Sequence, residues 1–305
     1  MALVSMFKRK GAHGYGYDSS AEEVTLGLDL SDKTVLVTGC SSGLGLETLR
    51  VLALRGARVL GSARSLDKAR AACAAVAPQA LPLVCELSEP ASVLACAEAV
   101  RHQGTKLDGI ICNAGTMALP KLAQAFGYEL QFFTNHIGHF LLVTSLLDQL
   151  SERARVVVVS SDAHRLAPRQ GIEFDNLSGE RGYNAWTAYG QSKLANLLFA
   201  RELALRLPHK TQSANALHPG VIATNLQRSM PGFMRGLMAL GQPLFLKTVP
   251  QGAATQCYVV AHPGMQETGA YFVDCQPRAP RKLALDPALA KRLWEESERI
   301  VASVT

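Results

Sequence analysis

Short apolar runs rich in β-branched residues alternate with longer amphipathic segments along almost the whole chain. The short runs predict strands, and the 3.6-residue periodicity of the longer segments predicts helices. The predicted strands cover residues 33–38, 57–62, 80–85, 107–112, 154–160, 212–217 and 269–274. The predicted helices cover 43–55, 66–76, 89–102, 122–150, 187–207, 250–261 and roughly 286–302. This alternation implies an α/β fold: a Rossmann-type, doubly wound, parallel seven-stranded sheet with helices on both faces.

The same pattern indicates one folded domain over residues 21–305, preceded by an N-terminal arm over residues 1–20. The arm has Lys8, Arg9 and Lys10 after only a few apolar residues, which is not the order found in a signal peptide. No run reaches 18 apolar residues, so no transmembrane segment is expected. Two stretches, 163–186 and 225–248, interrupt the alternation of strands and helices.

Composition restricts the function classes without naming one. At 48% hydrophobic and 18% charged residues, the 305-residue chain can bury a large core. Its seven cysteines show no Cys-x-x-Cys spacing, so we expect unpaired buried thiols in a reducing, cytoplasmic setting and no metal site. The net charge of +6 is dispersed, with local clusters at 8–10 and 278–282. No nucleic-acid-binding motif accompanies it, so no nucleic-acid partner is expected.

A glycine-rich turn joins the first strand to the first helix. Gly39, Gly43 and Gly45 follow the strand 33–38 directly, and an amphipathic helix continues from Leu46. In this context glycines let the backbone turn tightly and let a pyrophosphate approach the helix N-terminus, where free N–H groups favour an anion. No Gly-Lys-Ser/Thr ends the loop, which argues against an NTPase phosphate loop. The turn therefore predicts dinucleotide binding.

Tyr189 and Lys193 lie four residues apart in a predicted helix, so their side chains share one face. A free tyrosine has a pKa of about 10 and is a poor acid or base at neutral pH. The lysine charge would favour the phenolate and lower the pKa of Tyr189. Alone the pattern is weak, because helix surfaces produce it often by chance.

The end of the second strand indicates which cofactor would bind. NAD-binding sites of this kind place Asp or Glu there, on the ribose 2′-hydroxyl. This chain has Gly61-Ser62-Ala63-Arg64, with no acidic residue before Asp67. A guanidinium at Arg64 suits a 2′-phosphate, so the sequence predicts NADP(H). The alternative is a solvent-exposed arginine at a helix start.

Further motifs follow in order: Asn113-Ala114-Gly115 after a strand, Asn135 within Phe-Phe-Thr-Asn-His-Ile-Gly-His-Phe, Ser160-Ser161 at a strand end, and His218-Pro219-Gly220. With the glycine turn and Tyr-x-x-x-Lys, this set resembles the short-chain dehydrogenase/reductase family over about residues 21 to 275. The interval of 28 residues between Ser161 and Tyr189 resembles the retinol-dehydrogenase and WW-domain-oxidoreductase branch. So do the phrases AEEVTLGLDLSDKTVLVTG, NHIGHF, YGQSKLANLLF and HPGV.

The resemblance implies a catalytic role for four residues. Tyr189 would exchange a proton with the substrate oxygen, and Lys193 would lower its pKa and bind the nicotinamide ribose. Ser161 would hold the substrate oxygen, with Ser160 as the alternative. Asn135 would help to hold a water that links Lys193 to solvent.

The resemblance also implies a cofactor site. Its residues would be Gly39, Ser41, Ser42, Gly43, Leu44, Gly45, Arg64, Glu86, Leu87, Asn113, Ala114, Gly115, Tyr189, Lys193, Pro219, Gly220, Val221 and Thr224. Glu86 stands where the family often has Asp near the adenine. Residues 225–248 would form a substrate lid, and their apolar side chains fit either a lid or an ordinary helix packed on the core.

These expectations describe an NADP(H)-dependent oxidoreductase whose single catalytic domain spans residues 21–305. It would transfer a hydride between the nicotinamide and an apolar carbonyl or alcohol, such as a retinoid, a steroid or a lipid aldehyde. Two alternatives remain: a ketoreductase of a polar biosynthetic intermediate, and a non-catalytic NADP-binding regulator. The expected partner is a small-molecule substrate, and a homo-oligomer is possible.

Overall fold

The seven predicted strands form one sheet in the computed structural model, which describes residues 10–222 and 246–305. They are β1 (Thr34–Thr38), β2 (Arg58–Ala63), β3 (Leu81–Val84), β4 (Leu107–Cys112), β7 (Leu150–Val159), β8 (Ser213–His218) and β9 (Tyr271–Val273). β5 (Gln124–Ala125) and β6 (Tyr128–Glu129) form a separate hairpin, and β10 (Gln276–Pro277) is short. The large sheet has the order β10-β9-β8-β7-β4-β1-β2-β3.

All neighbours from β9 to β3 pair in parallel, which confirms the predicted α/β fold. The edge strand β10 pairs antiparallel with β9 and was not predicted. It is two residues long and contains a proline, so it has no strand signature of its own. The strand order reverses between β1 and β4, and the crevice at such a switch point is where open α/β sheets bind ligands.

Two helical layers cover the sheet. The helices of the described residues are α1 (Ala21–Val24), α2 (Gly43–Leu54), α3 (Leu66–Val76), α4 (Pro90–Arg101), α5 (Leu130–Phe132), α6 (Gly138–Thr144), α7 (Ala185–Arg206), α8 (Val249–Ala261) and α9 (Pro287–Val304). One apolar cluster joins the sheet to α1, α2, α3 and α8, and a second joins it to α4, α6, α7 and α9. Alternate strand residues supply the two clusters: Leu36 faces one, and Val35 and Val37 face the other.

The prediction of a single helix over residues 122–150 is wrong. The hairpin β5–β6 comes first, and its two turn residues, Phe126 and Gly127, have positive φ angles of 51° and 80°. After α5, residues Phe133–Ile137 form a π-helix, and α6 follows. A short 3₁₀ turn, Leu147–Gln149, leads to β7, which begins at Leu150 rather than at 154. The continuous apolar pattern concealed these breaks.

The described part of the predicted arm, residues 10–20, lies against α8. Tyr15 packs edge-on against Tyr258 with ring centroids 6.0 Å apart, and Gln251 Nε2 donates to the Asp18 carbonyl at 3.4 Å. Tyr17 is buried. The short helix α1, which the sequence did not predict, follows with a capping box from Ser20.

The C-terminal helix α9 packs against the helices that follow β6 and β7. Its Trp294 contacts Phe140 and Phe199, with ring centroids 4.8 and 6.0 Å away. Ser297 Oγ lies 2.8 Å from Nε2 of the buried His136 in the π-helix. α9 thereby supports the segment that carries Asn135. None of the helices in residues 10–222 and 246–305 is long and apolar enough to cross a membrane.

Candidate active site

The glycine turn after β1 is packed too closely for side chains. A Cβ on Gly39, whose φ is +71°, would lie 2.9 Å from the Ala114 Cα. A Cβ on Gly45 would lie 2.3 Å from the Gly39 carbonyl oxygen and 2.6 Å from Asn113 Nδ2. Since backbone atoms cannot move away cheaply, these positions require glycine. The turn brings the backbone close to the crevice between β1 and β4.

The N-terminus of α2 opens at this turn. Ser42 is its N-cap residue but makes no side-chain capping hydrogen bond, and both Ser41 and Ser42 are exposed. Gly43, with a φ of +59°, and Leu44 form the first turn of the helix. Its first N–H groups have no partner within the helix and favour an anion there. The residues present therefore fit the pyrophosphate of a dinucleotide.

The ends of β1 and β4 are fastened together by Thr38. Its Oγ1 accepts hydrogen bonds from the backbone N–H groups of Asn113 and Ala114, at 2.9 and 3.0 Å. The Asn113 side chain donates in return to the Thr38 carbonyl at 2.8 Å. Gly115 follows, exposed, and a Cβ on it would lie 2.9 Å from Asn135 Oδ1. The Asn-Ala-Gly segment predicted for the cofactor thus lies between the glycine turn and Asn135.

Arg64 lies at the end of β2 and is exposed. It forms neither an ion pair nor a hydrogen bond with any residue in 10–222 and 246–305. Its guanidinium is therefore available to a ligand. Glu86, after β3, is half-buried, and its Oε1 accepts hydrogen bonds from the N–H and the hydroxyl of Ser88, at 3.2 and 2.9 Å. Leu87 is buried against Gly138.

Tyr189 and Lys193 lie side by side on α7, with the ammonium nitrogen 5.7 Å from the centre of the phenol ring. Burial raises the pKa of Tyr189 to about 12, and a side-chain hydrogen bond with Ser161 works in the opposite direction. Burial also lowers the pKa of Lys193 to about 8. Burial is the larger of the two effects on Tyr189, so its pKa lies above the usual value and not below it, as the spacing to Lys193 had led us to expect.

The hydrogen bonds distinguish the two serines after β7. Ser160 is buried, and its Oγ donates to the Lys193 carbonyl at 2.7 Å. Ser161 caps the 3₁₀ turn Asp162–Leu166 by accepting from Ala163 N at 3.2 Å, and it reaches Tyr189. Ser160 thus fastens α7 to the sheet, and Ser161 is the serine beside the phenol.

Asn135 lies in the middle of the π-helix and is fully buried. Its Oδ1 accepts from Thr116 N at 2.8 Å, and its Nδ2 donates to the Thr116 carbonyl and to Ser192 Oγ, both at 2.9 Å. Ser192 precedes Lys193 on α7. The asparagine side chain therefore joins the segment after β4 to the helix of Tyr189. π-Helical turns occur frequently at functional sites.

The segment after β8 carries the remaining predicted cofactor residues. Pro219 is buried, and Gly220 has a φ of +96°, where a Cβ would lie 2.6 Å from the Lys247 side chain. Val221 is exposed, and its carbonyl accepts from Lys247 N at 2.9 Å. Thr224 and all but the last three residues of the proposed lid 225–248 lie outside the described residues.

The structure adds residues that sequence reasoning missed. Thr38 fastens two strand ends, Ser192 contacts Asn135, and Lys247 forms a buried ion pair with Asp274 at 2.7 Å. Thr38 could have been found from its place immediately before Gly39. The partners of Ser192 and Lys247 are distant in sequence, so no local signal marks them. No group of three potential metal ligands occurs within the described ranges, and none of the seven cysteines forms a disulfide.

Comparison with known proteins identifies the family. The family model for short chain dehydrogenases matches residues 33–232. The chain is 39% identical to the chloroplastic short-chain dehydrogenase TIC 32 A of Brassica napus, over 97% of both chains. It is 37% identical to human retinol dehydrogenase 14, over 88% of this chain and 86% of that protein. It is 39% identical to the WW domain-containing oxidoreductase of Danio rerio, over 94% of this chain and 73% of that protein.

A solved structure extends this similarity to the fold. An uncharacterized protein from Mycobacterium paratuberculosis superimposes with a TM-score of 0.75 at 32% identity, over 92% of this chain and 97% of that one. These similarities confirm the branch indicated by the sequence motifs. The chain belongs to the short-chain dehydrogenase/reductase family of oxidoreductases, which act on CH–OH and carbonyl groups.

Proposed function

We propose that the protein is an NADP(H)-dependent oxidoreductase of apolar carbonyl and alcohol compounds, with Tyr189 as its acid and base. The observation that carries this proposal is the meeting of three side chains from two elements. Ser161, at the end of β7, reaches the phenol of Tyr189, and Lys193 lies on the same face of α7. A hydroxyl, a phenol and an ammonium grouped in this way are what proton transfer coupled to hydride transfer requires.

A bound nicotinamide supplies the hydride in reduction and accepts it in oxidation. In reduction the Tyr189 hydroxyl gives its proton to the substrate oxygen, and in oxidation the phenolate removes the hydroxyl proton. Ser161 donates a hydrogen bond to the same oxygen and keeps it beside the phenol. Burial holds the pKa of Tyr189 at about 12, so the phenol is protonated at neutral pH and ready to act as the acid in reduction.

Lys193 has two tasks in this scheme. Its ammonium binds the nicotinamide ribose, and it stabilises the phenolate that remains after proton transfer. Burial lowers the pKa of Lys193 to about 8, so it can also pass a proton near neutral pH. We assign the supply of that proton to a water held near Asn135, which the π-helix places next to Thr116.

The preference for NADP(H) rests on Arg64. Its exposed guanidinium has no partner among the described residues, and the end of β2 carries no carboxylate for a 2′-hydroxyl. The remaining cofactor assignments, Glu86 and Leu87 near the adenine and Pro219 to Thr224 near the nicotinamide, are part of the same proposal. The Glu86 carboxylate already accepts hydrogen bonds from Ser88, so we expect Glu86 to contribute less to cofactor binding than the other residues of the site.

An apolar substrate is supported by the surroundings of Tyr189. The ring of Trp186 stands edge-on to that of Tyr189, with centroids 6.3 Å apart, yet 37% of Trp186 is exposed. An exposed aromatic side chain beside a buried phenol offers a surface for an apolar molecule. Several relatives are named retinol dehydrogenases, which agrees with this class. A cytoplasmic location agrees with the seven unpaired thiols, whereas two relatives are named chloroplastic.

The test is a panel of apolar and polar aldehydes, ketones and alcohols, assayed with NADPH or NADP⁺ and with the corresponding NAD cofactors. We expect turnover of apolar members with the NADP cofactors, and a loss of at least about 10²-fold in kcat for Tyr189→Phe. The variant should still bind NADPH, because its ring is retained. Tight NADPH binding by the wild type without turnover of any compound would instead support a non-catalytic NADP-binding protein. Faster turnover of polar ketones would favour the ketoreductase alternative.

A further inference from the structure

Both ring nitrogens of His139 lie within hydrogen-bond distance of a partner. Neither partner is the side chain of a residue to which we assign a catalytic role. It is fully buried on α6, four residues after Asn135. Its Nδ1 lies 3.0 Å from the Asn135 carbonyl oxygen, within the π-helix. Its Nε2 lies 2.9 Å from Thr38 Oγ1, at the end of β1. The ring therefore bridges two elements that are far apart in the sequence.

The partners determine where the protons lie. A carbonyl oxygen can only accept, so Nδ1 carries the proton that bonds to Asn135. Burial lowers the pKa of His139 to about 4, so the ring is neutral at pH 7 and Nε2 is an acceptor. The Thr38 hydroxyl must then donate to Nε2, which leaves its lone pairs for the N–H groups of Asn113 and Ala114. The other acceptor near this hydroxyl, the Ile111 carbonyl, is farther away at 3.3 Å.

The chain of bonds joins the two halves of the candidate site. Thr38 immediately precedes Gly39, and Ala114 is the residue against which Gly39 is packed. At the other end, Asn135 contacts Thr116 and Ser192. One imidazole thus connects the strand end that precedes the glycine turn to the segment that carries Asn135.

We propose that His139 is a positioning residue, which as the neutral Nδ1–H tautomer holds the glycine turn and Asn135 in a fixed mutual position. The proposal rests on the proposed function for the role of Asn135. His139 is fully buried and acts through Thr38 and Asn135. Its donor arm to the Asn135 carbonyl serves turnover, and its acceptor arm from Thr38 serves cofactor binding.

Three substitutions separate the two arms. His139→Asn keeps an amide near the position of Nδ1 and can still donate to Asn135, but it is too short to reach Thr38. His139→Gln extends toward the position of Nε2 and keeps an acceptor for Thr38 while losing the donor arm. His139→Phe fills the space and removes both arms. His102→Gln, at an exposed histidine after α4, is the matched control.

Loss of a neutral hydrogen bond changes an equilibrium by about two- to tenfold. We expect His139→Asn to raise the NADPH dissociation constant by that factor with kcat nearly unchanged. His139→Gln should lower kcat by a similar factor with NADPH binding nearly unchanged, and His139→Phe should show both effects. A purely structural histidine would give equal changes in the Asn and Gln variants, and that result, or no change in any variant, would overturn the proposal.

Heteronuclear NMR of the wild type with labelled histidine keeps the test valid if a variant does not fold. We expect His139 to show a protonated Nδ1 and an unprotonated Nε2, with no titration between pH 6 and pH 8. A protonated Nε2, or titration in that range, would refute the assignment. Neither the NMR nor the NADPH titration needs turnover, so the two proposals can fail separately. If the wild type turned over no substrate but both of these results were as expected, the proposed function would be wrong and the bridge formed by His139 would still be supported.

Discussion

Replacing Lys193 by methionine should stabilise the cofactor-free protein while it abolishes turnover. The lysine is charged at pH 7 in the unfolded chain, where its pKa is near the usual 10.5, and burial lowers the pKa to about 8 in the folded protein. Holding an ammonium in this buried position costs the fold free energy. A methionine fills the same space without a charge.

The size of the effect follows from the difference of pKa values. Moving from 10.5 to about 8 is worth on the order of 3 kcal/mol, since each pKa unit corresponds to about 1.4 kcal/mol. The lost hydrogen bond reduces this gain only slightly. Lys193 Nζ donates to the Val159 carbonyl at 3.0 Å, but Asn196 Nδ2 donates to the same carbonyl at 3.1 Å and would keep it satisfied. We therefore expect Lys193→Met to gain about 1–3 kcal/mol at pH 7.

The pH dependence gives the sharper test. At pH 7 the cost is fully present, because the lysine is protonated in both states. As the pH rises from about 8 to 10.5, the folded lysine loses its proton before the unfolded one, so the wild type regains stability by up to about 1.4 kcal/mol per pH unit relative to Lys193→Met. The informative quantity is the difference in unfolding free energy between the two proteins. Burial raises the pKa values of thiols such as Cys112 and Cys257, and these thiols therefore destabilise both proteins above pH 9.

Urea unfolding of wild type and Lys193→Met between pH 7 and pH 10, without cofactor, measures the difference directly. Lys291→Met is the matched control, since Lys291 is exposed on α9 with only a 3.9 Å contact to Glu295. It should change the free energy of unfolding by less than about 0.5 kcal/mol. A Lys193→Met variant less stable than wild type at pH 7, or a difference that does not shrink with pH, would refute the reasoning.

Four further substitutions test other parts of the site. Arg64→Ala should raise the dissociation constant of NADPH by roughly ten- to a hundredfold and leave that of NADH nearly unchanged; equal losses in cofactor titrations would mean that Arg64 is structural. Gly45→Ala places a Cβ 2.3 Å from a backbone oxygen and should cost about 1–3 kcal/mol in thermal or urea unfolding, which a wild-type melting curve would contradict. Ser161→Ala should lower kcat about tenfold or more, whereas Ser160→Ala should mainly lower stability by about 1 kcal/mol; the reverse order in assays of both would exchange the roles of the two serines.

Much of this site is predictable from the sequence because its motifs are local. The glycine turn, the pairing of Tyr189 with Lys193 and the position of Ser161 each depend on a few consecutive residues beside one strand or on one helix. The strands are short apolar runs with clear ends, so the parallel sheet could also be predicted. The resemblance to a family then gave roles to residues, such as Asn135, that their spacing alone does not distinguish.

The parts that could not be predicted depend on contacts between distant residues. The π-helix around Asn135 lies within a continuous apolar run, and its contacts are with Thr116 and Ser192. The raised pKa of Tyr189 is caused by burial, which the spacing to Lys193 does not reveal. The hairpin turn at Phe126 uses a positive φ at a bulky residue, which local preferences disfavour.

The contact between His136 and Ser297 has a consequence for the way the protein is made. Synthesis proceeds from the N-terminus, and every described cofactor-side residue up to Gly115 leaves the ribosome well before α9 does. The π-helix, by contrast, gains the hydroxyl of Ser297, and Phe140 on α6 gains the ring of Trp294, only after α9 has been synthesised. The packing of the segment that carries Asn135 is thus completed by α9, whose Ser297 lies 161 residues after His136. Asn135 therefore cannot reach its final packing before α9 has been synthesised, whereas the contacts of Thr38 and Gly39 with the Asn-Ala-Gly segment need only residues up to 115.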